Sequence, residues 1–235
     1  MRPVILRDRE PGLTERMDAP DCDPDELANT YRQFFWINAL LSRSRMLYRR
    51  WLRPRMGEPG ATYSLLDIGF GGGDIPLRIA AWARREGIDL RVRGVETDSR
   101  AVEFVNQQPL PDGVRFEHGD AHELAARGER YDFVLSNHML HHLTGEELEG
   151  MLATAATLCR RVALFNDLVR TDVGYGLFSA VTPLFFRRSF IREDGLRSIR
   201  RSYTREELAR RVGAGWRVTP LYPFRLLLVY DRERG

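Results

Sequence analysis

The stretch SLLDIGFGGGDIPLRIA, Ser64 to Ala80, constrains this chain more than any other. An apolar run carrying one acidic residue, Asp67, ends in a glycine cluster. A new apolar pattern follows at once through Ile75, Leu77, Ile79, Ala80 and Trp82. That order predicts a strand, a tight turn and a helix. Turns of this kind bring backbone N–H groups up to a ligand at a helix N-terminus. A dinucleotide, a phosphate and a sulfonium nucleoside all remain open at this point.

Strand-like and helix-like segments alternate after the turn. Leu90–Glu96, Val114–Asp120, Tyr131–Asn137 and Arg161–Asp167 read as strands. Helices are predicted from Ile75 to near Gly87, from Asp98 through Val105, and from a Thr144/Glu147 capping box to about Cys159. A βαβα series implies an α/β fold with a parallel sheet and helices on both faces. Trp216–Tyr222 and Phe224–Tyr230, separated by Pro223, read as an adjacent antiparallel pair. A Thr204/Glu207 capping box starts a short helix before them.

Two segments lie outside that series. Residues 1–60 read as an N-terminal unit: a loose polar arm of about 22 residues, then a helix with Asp23 as N-cap, Pro24 at N1 and Glu26 at N3. The remaining 61–235 carry the α/β unit, with an aromatic- and arginine-rich insertion at about 169–202.

The 235 residues allow one domain with a full core, and 43% hydrophobic with 29% charged residues is ordinary for a soluble protein. No apolar run is long enough to span a membrane, and no signal-peptide core opens the chain, so a cytoplasmic protein is expected. Cys22 and Cys159 are far apart and lack metal-ligand spacing. Lysine is absent, which excludes Schiff-base lysine chemistry. The net charge of +3 is spread along the chain with acids interleaved, which is weak support for nucleic-acid binding.

The glycine spacing argues against a nicotinamide dinucleotide. G-x-G-x-x-G fails in both registers, since its third position falls on Asp74 or on Pro76. A carboxylate at Asp74 would also repel a pyrophosphate, whereas Asp67 suits a cationic or amino-bearing ligand. Glu96, ending the second strand, can accept two ribose hydroxyls. Asp120 can accept from an adenine amino group, with the Ala121 N–H facing a ring nitrogen. Asp98 and Asp120 also read as plain N-caps.

Taken together, LLDIGFGGG, GVETD, GDA and YDFVLSNHMLHHL resemble the class I S-adenosylmethionine-dependent methyltransferases, over roughly Tyr63 to Asp167 plus the C-terminal pair. The resemblance implies a Rossmann-like sheet of seven strands, mostly parallel with an antiparallel C-terminal hairpin, and a helical cap over the site. It implies that Asp67, Gly69, Phe70 and Gly71 line the methionine moiety, that Glu96 holds the ribose, that Asp120 and Ala121 hold adenine, and that Asn137 lies under the sulfonium. Position 96 is Glu where many members have Asp. His138, His141 and Asp167 become the catalytic candidates, with neutral His138 as base and Asp167 orienting a histidine or touching the acceptor. At least one histidine of the His141–His142 pair is also readable as structural. No metal is expected, because no Cys or carboxylate set completes a site.

SNHMLHHL, FND and RRSFIREDGLRSIRRSYTREEL further resemble bacterial O-methyltransferases of phenolic lipids and type III polyketides. A small apolar, phenolic or polyketide-like acceptor follows from that likeness. Methylation of RNA or another macromolecule, a non-catalytic S-adenosylmethionine binder and a nicotinamide oxidoreductase are the alternatives.

Overall fold

A computed structural model describes residues 5–233. Asp23 caps α1 (Pro24–Leu41), its side chain accepting from the Asp25 and Glu26 N–H groups. A short α2 (Ser44–Leu47) and single helical turns through Arg55 lead into β1 (Thr62–Ile68). Then follow α3 (Asp74–Arg85), β2 (Asp89–Glu96), α4 (Ser99–Asn106), β3 (Val114–His118), α5 (Ala121–Ala126) and β4 (Tyr131–Asn137). The chain continues with α6 (Gly145–Leu158), β5 (Cys159–Leu168), α7 (Asp172–Phe185), α8 (Ile191–Arg201), α9 (Arg205–Ala209), β6 (Trp216–Leu221) and β7 (Arg225–Asp231).

The seven strands form one Rossmann-like sheet in the order β3-β2-β1-β4-β5-β7-β6. β1 to β5 pair in parallel, and β7 runs antiparallel to both β5 and β6. The turn between the last two strands is Tyr222–Phe224, longer than the single proline expected. Strand side chains alternate between two cores because both sheet faces are covered. Leu65, Phe133 and Val162 enter the core beneath α1, α3 and α4; Leu66, Val134 and Ala163 enter the one beneath α5, α6 and α9. The strand order reverses between β1 and β4, and in open α/β sheets ligands bind at the carboxyl ends of the strands flanking that point.

Gly94 in the middle of β2 shows how tightly the first core is packed. A Cβ there would lie 2.7 Å from the Phe70 ring and closer still to Phe116. Those two rings pack together at 4.6 Å between centroids, under the glycine turn. Gly94→Ala is therefore expected to destabilise the fold by about 1–3 kcal/mol, the usual range for overpacking. Urea denaturation measures it; an unchanged midpoint would show that the aromatic pair can move aside.

The arm is not loose. Residues 5–22 pack along α8 and the histidine loop after β4. Arg9 donates to the carbonyls of His141 and Leu143, at 2.8 and 2.7 Å, and to that of Arg201. Asp194 accepts from the backbone N–H groups of Arg16 and Met17. Buried Arg170 donates to the carbonyls of Leu6 and Arg7. Arg9, together with the arm's own backbone, makes these long-range bonds, while Arg7, Asp8, Thr14 and Asp21 face solvent.

Candidate active site

The glycine turn sits at the carboxyl end of β1. Gly69, Gly71 and Gly73 have φ of 71°, 52° and 72°, the left-handed region that side chains with a Cβ resist. The turn folds back towards β2, where a Glu96 carboxylate oxygen accepts from the Gly71 N–H at 3.2 Å. The other Glu96 oxygen accepts from the Thr97 and Asp98 N–H groups. Phe70 is buried against Phe116, and Tyr31 of α1 closes over Gly72.

Asp67 lies beneath this turn, 2% exposed. Its Oδ1 is buried without a hydrogen-bond partner among the described residues. Burial raises its pKa well above the carboxylate range, and the nearby carboxyls of Asp74 and Glu96 add to the rise. Asp74, pushed up to about 6 by burial, is held by Asn38 of α1 and lies 3.6 Å from Arg78. A buried carboxyl with an idle oxygen and acidic neighbours is a receptor for a cationic or amino-bearing group. Asp120 caps α5 by accepting from the His122 N–H at 2.8 Å, and Ala121 is buried beside it. Asp98 caps α4 and pairs with Arg100. The tips of β1, β2 and β3 thus bring Asp67, Glu96 and Asp120 to one edge of the sheet.

Asn137 ends β4, and its side chain is locked sideways into the sheet. Its Oδ1 accepts from Asn166 Nδ2 at 2.9 Å and from Arg225 at 3.0 Å. The fully buried Arg225 guanidinium also donates to Asn166 Oδ1 at 2.7 Å. His138 follows with φ of 64°, an uncommon backbone for a non-glycine residue. Its N–H donates to the Asn166 carbonyl at 2.8 Å.

The three histidines have different environments. His141 is completely buried. Its Nδ1 lies 3.0 Å from both Asp167 oxygens, and its Nε2 lies 3.1 Å from Glu15 of the arm. The Asp167 carboxylate also accepts from the His141 backbone N–H. Burial alone would lower the His141 pKa, but the two carboxylates outweigh it and raise the pKa to about 9. Glu15 and Asp167 are held far below their ordinary range, chiefly by His141, against the opposing effect of burial. His141 is thus an imidazolium clamped between two anions. His138 lies edge-on to it at 4.6 Å, its Nδ1 3.7 Å from Asp167 and its side chain about one-third exposed at 32%. Desolvation, then the His141 cation, lower its pKa to about 4. His142 is lowered to about 3 by the same two causes. His138 and His142 are therefore neutral at physiological pH.

Glu15 carries no signal in the sequence, and Asn166 stands out only as part of FND. Glu15 sits in an irregular arm and reaches His141 across 126 residues, while Ser198 Oγ donates to it at 2.7 Å. A lone arginine at the head of the apolar run of β7 was the one available sign of Arg225. His138, His141 and Asp167 have ligand atoms within 4.8 Å of one another, as do Glu15, His141 and His142. Both sets share His141, whose two ring nitrogens are already taken by carboxylates.

The clamp has a pH signature. His141 has a raised folded-state pKa, so its stabilisation is complete below about 6.5, its unperturbed value, and is lost as pH rises through about 9. The depressed carboxylates contribute above the ordinary carboxylate range and lose that contribution as pH falls through their folded values. Glu15→Gln is expected to destabilise the protein by about 3–5 kcal/mol near pH 6, the cost of breaking a buried ion pair. The deficit should shrink above pH 9. Urea unfolding of both proteins at pH 6 and pH 9.5 measures it, and a deficit independent of pH would contradict the charged clamp.

Residues 65–161 match the family model described as a methyltransferase domain, somewhat under half of the chain. No curated protein sequence matches significantly. Several solved structures share the fold over most of the chain. The plantazolicin methyltransferase BpumL, in complex with SAH, is 12% identical, with 90% of this chain and 91% of that one covered and a TM-score of 0.61. PigF with SAH is 14% identical, covering 93% of this chain and 62% of that one, also at 0.61. The magnesium protoporphyrin IX methyltransferase from Synechocystis PCC 6803, with bound SAH, is 16% identical over 87% and 85%, at 0.53.

Proposed function

We propose that this chain is a class I S-adenosylmethionine-dependent methyltransferase acting on a small molecule, most specifically on the hydroxyl of a phenolic or polyketide-like acceptor. The observation that carries the cofactor class is Asp67, a buried carboxyl with an idle oxygen beneath three left-handed glycines. The matched domain and the fold shared with SAH-bound methyltransferases support the same reading.

Asp67, Gly69, Phe70 and Gly71 would face the amino-acid end of S-adenosylmethionine. Glu96 would take the ribose, Asp120 and Ala121 the adenine, and the backbone of Asn137 the sulfonium region. The cofactor supplies an electrophilic methyl group on a positively charged sulfur. The Asn166–Arg225 network fixes Asn137, and so fixes where β4 ends. His138 leaves that end with its ring partly exposed and neutral, so it can accept a proton from an acceptor hydroxyl. A phenol, with a pKa of about 10, needs such help at neutral pH. Asp167 lies at the Nδ1 side of His138, which leaves Nε2 as the proton-accepting atom. His141 and Glu15 are positioning residues in this scheme, because they hold Asp167 and touch no acceptor. The inner faces of α1 and the α7–α8 pair would supply the apolar cover expected of a pocket for a flat acceptor.

The reading is tested by incubating the protein with S-adenosylmethionine and a panel of phenols, followed by mass spectrometry. A product heavier by one methylene unit, together with SAH, is expected. Calorimetric binding of NAD in preference to S-adenosylmethionine would overturn the cofactor class. Methylation of RNA in the same assay, with the phenols untouched, would overturn the acceptor.

A further inference from the structure

α7 carries an apolar stripe that none of the described residues covers. Val173, Leu177, Val181 and Leu184 follow helical spacing on one face, and all four are exposed. Phe185 adds a ring that is 71% exposed. From Val173 to Phe186 there is no charged side chain. Soluble proteins rarely leave a contiguous apolar strip of this kind without an occupant.

A second exposed strip lies beside it on α1. Asn29 Nδ2 donates to the carbonyls of Arg187 and Arg188, and Gln33 Nε2 donates to that of Arg187. These bonds seat the end of α7 against α1. Trp36 and Leu40 continue the same α1 face by one and two turns, 69% and 75% exposed.

The rim of this surface is basic where α1 and the end of α7 meet, with Asp25 and Asp172 only at the starts of the two helices. Arg32, Arg187 and Arg188 are exposed at the α1–α7 junction, and Arg43 is exposed just past the end of α1. None of the four forms an ion pair among the described residues. Between Glu26 and Glu58, and again between Asp172 and Glu193, the chain has no carboxylate side chain.

We infer that the outer faces of α7 and α1 dock on an anionic lipid surface, with the apolar stripe in the acyl boundary and the arginines at the headgroups. Apolar side chains edged by arginines, with acids only at the far starts of the two helices, match a bilayer interface of opposite charge. A second copy of this chain fits worse, since a two-fold contact through this face would bring one arginine rim against another. An RNA would match the arginines but leave the stripe uncovered. The inference goes beyond the proposed reaction and does not depend on it.

The test is co-sedimentation with vesicles of phosphatidylcholine alone and of phosphatidylcholine containing phosphatidylglycerol, at low and high salt. Binding to the anionic vesicles only is expected, weakened severalfold by salt that screens the headgroups. The double variant Leu177→Glu/Leu184→Glu should lose binding at least tenfold, and Arg187→Glu should lose it several-fold. Both changes lie on exposed side chains, so thermal unfolding and S-adenosylmethionine affinity should match the parent. Absence of binding to anionic vesicles overturns the inference, as does binding that ignores both variants. A dimer in light scattering that Leu177→Glu dissociates would give the face to a second copy. Single-stranded RNA binding that depends on Arg187 but not on Leu177, without vesicle binding, would give it to RNA. Vesicle binding is read without any acceptor or turnover, so its failure leaves the reaction untouched.

Discussion

Asp67→Asn is expected to yield a protein more resistant to heat than its parent and much poorer at binding S-adenosylmethionine. The parent buries a carboxyl whose Oδ1 has no partner, with Asp74 and Glu96 as its acidic neighbours. Leaving a buried polar atom unsatisfied costs about 1–3 kcal/mol, more when it ionises. An amide removes the charge while keeping the shape. For a chain of this length, the gain corresponds to a rise of about 2–4 °C in Tm per kcal/mol. The same change removes a charge-assisted bond to the bound ligand, worth about 1.5–3 kcal/mol, or roughly 10- to 150-fold in Kd. The sign of the pH dependence is also fixed. Because the folded pKa of Asp67 is raised, the folded state holds the proton more tightly than the unfolded chain. Stability of the parent should therefore fall as pH rises above the ordinary carboxylate range, and the variant should be flatter there. Differential scanning fluorimetry over a pH series and calorimetric titration with the cofactor check both halves. Unchanged affinity in a stabilised variant would remove Asp67 from the cofactor site.

His138→Asn is expected to leave cofactor affinity within about twofold and to lower kcat by about 10²- to 10⁴-fold, the range for losing a general base. Asparagine is chosen because it tolerates the left-handed backbone that His138 adopts. With its pKa near 4, His138 is in its accepting form throughout the neutral range, so the parent's kcat should fall only as pH drops towards 4. Much of that depression comes from the adjacent His141 cation, after desolvation. In Glu15→Gln, Asp167 still keeps His141 charged near pH 4, while an anion that raises the His138 pKa is gone, so the acid limb of the kcat profile should move to lower pH. A purely structural role for Glu15 would lower stability without moving the limb. Turnover by His138→Asn equal to the parent's would leave the site without its base.

The sheet and the helix starts were legible in the sequence because their causes are local. Asp23, Thr144 with Glu147, and Thr204 with Glu207 satisfy N–H groups only two or three residues ahead, and each cap forms. The strands read as apolar runs because both faces of the sheet are covered, and the glycine turn because glycine enters that backbone without the strain a Cβ brings. The arm reads as loose for the opposite reason. Its order depends on bonds from Arg9, Glu15 and Arg16 to partners more than a hundred residues away, which leave no periodicity behind. The adjacent His141 and His142 look alike in sequence. One is charged and one neutral because a single ring lies between Asp167 and Glu15.

The placement of Glu15 has a consequence for how the protein is made. Ser198, which anchors Glu15, lies 183 residues further along the chain. At synthesis rates of about 5–20 residues per second, roughly ten to forty seconds separate the two. During that interval β1 to β5 can pair while Glu15 lacks its Ser198 anchor. A chain stopped before α8 would lack the Ser198 anchor of Glu15, and with it β6, β7 and the Arg225 that fixes Asn137.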